Sequence, residues 1–263
     1  MIKALFPKIS RRFLRVWQRN LTVYKKTWKV SFLPPLMEPF LFIVAFGIGL
    51  SAIVEDLTYR GIKVSYIDFI IPALLGTTIM YNAFFETSFA SFVRMRYQKT
   101  FDAMMATPLN LEEIITGEIA WSATKSFIAA TLMIVGVGIL GLIDNLSILL
   151  VPLLALLGGF AFGATGMFFT SIVPNIETFN LPMFLFITPM FLFSGTFFPL
   201  ETLPQWAQGI ALALPLTHLV RLTRAATLGI YHLSLLGSLA YLLLYSLFFY
   251  PLALKKMQKR LIK

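Results

Sequence analysis

RMRYQKTFDAMMATPLNLEEIITGEIAW, residues Arg94 to Trp121, is the long polar interruption between the first and last apolar spans of the chain. It opens with Arg94, Arg96 and Lys99, and cations of this kind flank membrane spans on the cytoplasmic side. The spacing predicts two helices. The first covers residues 97–106 and carries Phe101, Met104 and Met105 at helical intervals of three and four. Thr107-Pro108 stops it, because proline disfavours the helical region for the residue before it. Asn110 then caps a second helix, with Glu113 placed to reach back to the cap. Glu112 and Glu113 also suit the positive end of that helix. A short helix offering Phe and two Met outward fits a protein partner, since methionine-rich surfaces are adaptable. The other reading is a loop folded back on its own membrane domain, and the spacing leaves both open.

Working outward, the composition sets the class. The chain has 263 residues, 58% hydrophobic and 13% charged, against about 25% charged in soluble domains. Its apolar runs approach the roughly 20 residues that cross a bilayer. The expected fold is all-α and integral to a membrane. The absence of cysteine excludes disulfides and thiolate metal sites. The two histidines, His218 and His232, have no metal-ligand spacing. No Gly-Lys pair occurs, so this sequence holds no P-loop for nucleotide. The net charge of +10 flanks apolar spans, a membrane pattern and not a nucleic-acid one.

Residues 1–29 carry nine Lys or Arg and read as an amphipathic helix in the headgroup layer, not a cleavable signal. Ile9, Phe13, Val16, Trp17, Leu21, Tyr24 and Trp28 share one side. Arg11, Arg12, Arg15, Arg19, Lys25 and Lys26 lie opposite, with Lys8 and Lys29. Residues 30–263 then form a single membrane domain. Six spans are expected, at residues 32–54, 68–92, 119–143, 146–173, 178–198 and 233–254.

The first span starts among Pro34, Pro35 and Pro39, with Glu38 at the interface near Lys29. The second contains Asn82 and Glu86. Glu86 has two readings, a salt bridge to a neighbouring helix or a transport role. Lys125 in the third span is a partner for Glu118 or Glu86. In the fourth span Gly159 and Gly163 allow close helix approach, within one subunit or between two. The fifth is rich in phenylalanine, including Phe186 and Phe193, and is interrupted by Pro182 and Pro189. It faces lipid or lines the path of an apolar substrate.

Between residues 199 and 229 the pattern shortens to two helices. The first, Leu203 to Leu214, is too short to span and reads as re-entrant. The second, Leu216 to Leu228, stops at Gly229 and carries His218, Arg221 and Arg224 three residues apart. These groups bind lipid phosphates, guide an anionic or sugar headgroup, or make structural hydrogen bonds. Eighteen Lys or Arg in the N-terminal, 94–125 and C-terminal segments stand against four in the remaining loops. That bias places both termini in the cytoplasm.

Two stretches carry a resemblance. FDAMMATPLNLEEIITGEIAW (101–121) and FLFSGTFFPLETLPQWAQGIALALPLTHLVRLTRAATLG (191–229) are similar, in the right order, to ABC-2 type transporter permeases. The nodulation-factor (lipo-oligosaccharide) exporter branch, NodJ type, is nearest in look. The resemblance implies six transmembrane helices, an N-terminal interface helix, a coupling loop at 94–118 and a re-entrant pair at 199–229. It implies a homodimer in the bacterial cytoplasmic membrane, joined to two copies of a separate ATPase subunit that holds the ATP and Mg. It makes Phe101, Asp102, Met104 and Met105 the coupling helix, docked in a groove of the ATPase. The implied cargo is amphipathic: a lipid-linked saccharide, a lipo-oligosaccharide or a hydrophobic drug. Glu86, Asn82, Phe186, Phe193, Arg221 and Arg224 are then the candidate substrate-path or intramembrane polar residues. The rivals are a proton-coupled transporter using Glu86, and a membrane enzyme or assembly factor without transport.

Overall fold

The computed structural model describes residues 9–42, 44–45, 57–143 and 145–262, with backbone alone at 29–36, 38–40 and 42. The chain enters through helix α1 (Phe13–Phe42), which runs unbroken past Lys29. The expectations for Lys8, Glu38 and most of the first span lie outside the described side chains. Strands β1 (Leu57–Tyr59) and β2 (Ile62–Val64) then pair as an antiparallel hairpin, with Leu57 opposite Val64. Arg60 and Gly61, both at positive φ, form its turn. Such a turn suits the twist of the two strands.

Helix α2 (Tyr66–Phe85) starts on Ser65, whose hydroxyl accepts from the Asp68 amide. It passes through a π-turn at Glu86–Ala90 into α3 (Ser91–Arg96). The short α4 (Thr100–Met105) follows, and then α5 (Leu111–Ile139). A 3-10 turn at Leu146–Leu150 leads into α6 (Val151–Ile172). The next stretch is broken into α7 (Asn180–Pro182), a π-turn at Met183–Ile187 and α8 (Thr188–Phe193). Helices α9 (Gln205–Ala213), α10 (Pro215–Leu228) and α11 (Ser234–Leu261) complete the chain. Gly229, at φ 70°, stops α10 as the sequence predicts.

The expectation of six transmembrane helices is overturned. Among the described residues four helices are long and apolar enough to cross a membrane: Tyr66–Arg96, Leu111–Ile139, Leu146–Ile172 and Ser234–Leu261. The expected fifth span is a shorter apolar stretch, Glu177–Phe193. Pro182 and Pro189 each remove a backbone donor there, and π and 3-10 turns accommodate the loss. Gly195, at φ 74°, then turns the chain before Pro199. The expected first span shares α1 with Lys25, Lys26 and Lys29, and its second half lies outside the described residues. The fold also departs from all-α by its hairpin.

Two hydrophobic clusters build the interior. One, toward the hairpin, joins α2, α6 and α10 through Ile70, Leu74, Ile79, Phe162, Leu219 and Val220. The other, toward α4, joins α1, α3, α5 and α11 through Val16, Phe92, Ile115, Phe179, Leu254 and Met257. Small residues set the helix spacing. A Cβ on Gly163 would stand 2.2 Å from the Ser122 hydroxyl, and one on Gly159 would stand 2.7 Å from Ala123 Cα. The glycine pair of α6 therefore serves packing against α5 within this chain. Gly117 does the same for α1, since its Cβ would meet that of Val16 at 2.5 Å. This contact seats the amphipathic helix on α5, with Trp17 Nε1 donating to Thr124 Oγ1 at 2.9 Å.

Candidate functional site

Where α1, the α2–α3 helix and α5 meet, the apolar interior gives way to charge. Glu86 opens the π-turn and its carboxylate is buried. Arg94 Nη2 lies 2.8 Å from Glu86 Oε1, and Lys125 Nζ lies 2.7 Å from Glu86 Oε2. The same guanidinium reaches Glu118 Oε2, at 2.5 Å from Nη2 and 2.9 Å from Nε. Ser91 Oγ donates to Glu118 Oε2 at 2.5 Å, and Asn20 Nδ2 of α1 donates to Glu118 Oε1 at 2.8 Å. Every oxygen of both carboxylates is thus engaged by a cation or a donor, which is how charge survives burial.

The π-turn explains the register. Glu86 and Arg94 are eight residues apart, which puts them off one face of a regular α-helix. One extra residue in the turn restores the two-turn alignment of a seven-residue interval. On α5, Glu118 and Lys125 are seven apart and share a face without help. The four charges therefore meet across two helices, and Asn20 adds a third.

Beside the cluster is a cleft of about 540 Å³. Arg19, Arg94, Lys125 and Glu86 line one part of it, and Tyr24, Phe85, Phe89 and Trp121 the other. Tyr24 and Trp121 meet edge to face at 5.4 Å between centroids.

The short helix α4 hangs between Arg94 and Glu118 along the chain. Phe101 is fully buried in the lower cluster, against which Met104 and Met105 pack partly buried. The stripe anticipated as facing outward is thus anchored inward at Phe101. Asp102 and Ala103 are exposed, as are Tyr97, Gln98 and Lys99. Lys99 and Asp102 pair at 3.7 Å with both side chains more than half exposed. Such a pair contributes about 0–1 kcal/mol, so Asp102 is readily given up to another partner. Behind α4, Asn110 caps α5 as anticipated: Glu113 Oε2 accepts from the Asn110 amide at 3.0 Å. Ser10 Oγ donates to the other Glu113 oxygen at 2.5 Å, which ties the start of α1 to the same cap.

The remaining predicted residues lie apart from this centre. Asn82 is buried and donates to Thr78 O of its own helix at 2.9 Å. Phe186 meets Phe169 in a tilted ring contact at 5.8 Å between centroids, and Phe193 is half-buried at the end of α8. On α10, His218 stacks on Tyr241 at 4.0 Å and bonds Leu212 O at 2.9 Å. Arg224 donates to Phe69 O and Gly195 O, with Phe69's ring 3.7 Å from its guanidinium carbon. Of the readings open for this helix, His218 and Arg224 thus make structural hydrogen bonds. Arg221 is half-buried.

Asn20 and Ser91 were not among the residues the sequence singled out, and Glu118 was named only as one of two partners for Lys125, which pairs with Glu86. Arg94 looks like an ordinary flanking cation until the π-turn is known. The seven-residue spacing of Glu118 and Lys125 was the available signal. Among the described residues no group of three His, Cys, Asp or Glu is placed to hold a metal ion.

Comparison with known proteins adds to this geometry. The profile described as ABC-2 type transporter matches residues 11–228. The chain is 36% identical over 226 residues to Nodulation protein J of Rhizobium leguminosarum bv. viciae, covering 86% of each chain. It is 37% identical over 223 residues to Nodulation protein J of Rhizobium leguminosarum bv. trifolii, covering 85% of this chain and 84% of that one. It is 22% identical over 268 residues to the inner membrane transport permease YadH of Escherichia coli K12, covering 98% and 94%.

Proposed function

The chain belongs to the ABC-2 type transporter family, and from that premise we propose that it is the exporting permease of an ATP-driven pump, working as a homodimer with two copies of a separate ATPase subunit. Membership makes it a multi-pass membrane permease; its ATP and Mg chemistry belongs to the partner. The proposed cargo is amphipathic, of the lipo-oligosaccharide or lipid-linked saccharide kind or a hydrophobic drug. The similarity to Nodulation protein J supports that class. Both termini and α4 are assigned to the cytoplasm by the bias of Lys and Arg. Residues 1–29 are read as the interface helix. Helices α9 and α10, of 9 and 14 residues, are read as the re-entrant pair. Phe186, Phe193, Asn82, Arg221 and Arg224 stay candidates for the substrate path or its polar lining.

One observation carries the coupling assignment. The segment bearing α4 joins the two helices whose charges interlock, Arg94 just before it and Glu118 just after α5 begins. Force applied by a partner at Asp102, Met104 and Met105 reaches Phe101, whose ring sits in the packed cluster below the ion network. A two-state rearrangement needs contacts that differ between states, and ion pairs shared among three helices supply such contacts. Glu86 held by two cations counts against its service as a proton carrier.

The test is co-purification. The chain is co-expressed with its ATPase subunit and extracted in mild detergent, with wild type beside an Asp102→Arg, Met105→Arg variant. Asp102 is exposed and Met105 is only partly buried at the edge of the cluster, so the variant is expected to reach the membrane while losing the ATPase and transport. Recovery of an equal amount of ATPase with the variant would sink the docking surface. Transport driven by a pH gradient without nucleotide would revive the Glu86 carrier.

A further inference from the structure

We propose that the cleft between α1, the π-turn and α5 is a binding site for the phosphate group of a membrane-embedded lipid, with Arg19 as the recognising cation. The assignment rests on reading α1 as lying at headgroup depth. Charge is the first ground. Three cations and two carboxylates meet at this cleft, so one positive charge is left over. Arg94 and Lys125 are spent on Glu86 and Glu118. Arg19 is not: its Nη1 donates to the neutral amide Asn20 Oδ1 at 3.0 Å, and no carboxylate lies within ion-pair reach among the described residues.

Burial is the second ground. Arg19 sits half-buried, whereas Arg15, Lys25 and Lys26 of the same helix and Arg11 and Arg12 just before it are exposed. Burial lowers its pKa and the Glu118 charge pulls it back up, with Arg94 opposing. A guanidinium left partly desolvated without a counterion gains from a planar-faced anion, and phosphate accepts its fork of donors in pairs.

Shape is the third ground. About 540 Å³ exceeds what a phosphate alone needs and lies in the range of small-molecule sites. Tyr24, Phe85, Phe89 and Trp121 offer the remaining wall to an apolar chain or a sugar face. Phe85 is 39% exposed although its own helix is otherwise largely buried. The site thus pairs one surplus cation with an aromatic slide, which is the complement of a phosphate on a long tail.

Two sources carry that chemistry, a bulk acidic phospholipid and a lipid-linked cargo. The experiment titrates the purified full chain with phosphatidylglycerol, with a polyprenyl phosphate and with the matching polyprenyl alcohol, and reads bound lipid by native mass spectrometry. Both phosphates are expected to bind and the alcohol to bind at least tenfold more weakly. Arg19→Gln is expected to weaken phosphate binding about tenfold. Arg19→Lys keeps the charge and most of the binding, while Lys25→Gln, on the exposed face of α1, leaves it unchanged. Equal affinity for the two phosphates assigns a headgroup site, and a preference for the polyprenyl phosphate assigns cargo. Binding of the alcohol as tight as the phosphates, or Arg19→Gln and Arg19→Lys both indistinguishable from wild type, overturns the proposal. No nucleotide or ATPase is present, so failure here is separate from failure of the export reading, which the co-purification reads.

Discussion

Arg94 and Arg224 are both buried guanidinium groups, and the protein satisfies them in opposite ways. Arg94 stands between two carboxylates on two helices, with Ser91, Lys125 and Asn20 completing the set. Arg224 has no carboxylate within ion-pair reach among the described residues. It leans on the rings of Phe69 at 3.7 Å and Tyr59 at 5.1 Å and donates to two carbonyls, while its Nε has no hydrogen-bond partner. Ser194 Oγ and Thr196 Oγ1, on either side of one of those carbonyls, are also buried without partners. An ion network with shared oxygens has alternative pairings close in energy. A cation clasped by rings and fixed carbonyls has a single seat. Under the coupling proposed above, the α4 end is the one expected to rearrange and the hairpin end the one expected to stay.

The largest expected effect comes from Glu118→Ala. It strands Arg94 with half its counter-charge and leaves Asn20 and Ser91 without their acceptor. A cost of about 3–5 kcal/mol is expected for a buried partner removed in this way. Thermal unfolding in detergent checks it, and a double cycle with Arg94→Ala should recover much of the loss. A cost under about 1 kcal/mol would mean the network is solvated and the contrast with Arg224 is empty.

Next in size is Gly117→Ala. The added methyl meets Val16 and the Phe13 carbonyl, so α1 must lift from α5 and draw Asn20 away from Glu118. Overpacking of this kind costs about 1–3 kcal/mol. Cross-linking efficiency between cysteines introduced on α1 and α5 should fall with it. Unchanged cross-linking would show that the seat tolerates the methyl.

Arg224→Lys sharpens the other side. The charge remains, but the planar stack on Phe69 and the two-carbonyl fork are lost. A loss of about 1–2 kcal/mol is expected, nearly as much as for Arg224→Met. If Lys is as good as Arg, charge and not the flat clasp holds this end.

Lys125→Gln is the smallest. Its side chain is 19% exposed, so water reaches the ammonium, and Glu86 keeps Arg94, so stability should move least of the four. Coupled ATPase activity is the informative readout. A fall in coupling without a fall in stability would mark Lys125 as part of the moving set.

Local chemistry was legible wherever neighbours in sequence decide the outcome. The periodicity of the N-terminal helix gave its apolar side, read as facing the headgroup layer; Val16, Trp17 and Tyr24 of that side pack on α5. The Thr107-Pro108 break, the Asn110 and Glu113 cap and the Gly229 stop each depend on a few adjacent residues. The count of spans was not legible: Pro182 and Pro189 are visible in the fifth segment, but apolar length does not reveal that the stretch there breaks into turns and short helices. The direction of Phe101 was not legible either: a three-and-four stripe gives a face but not what the face meets. Arg224 looked like a cation for an anion, and its carbonyl and ring partners come from residues 29 and 155 positions away.

By itself the sequence determined that this is a membrane-embedded helical chain that resembles the ABC-2 kind, with its charges flanking apolar runs and a short helix between two polar punctuation marks. The helical and membrane character follow from composition, run length and caps, which act over a few residues; the family likeness rests on the resemblance of residues 101–121 and 191–229. Only the tertiary structure decided that Glu86, Arg94, Glu118 and Lys125 form one network and that Arg19 is left beside it unneutralised. The physical reason is that a buried charge needs hydrogen-bond partners or counter-charges within about 3 Å, and such partners come from other elements. Their register depends on a π-turn and on the missing Cβ of Gly117, neither of which declares itself in the sequence.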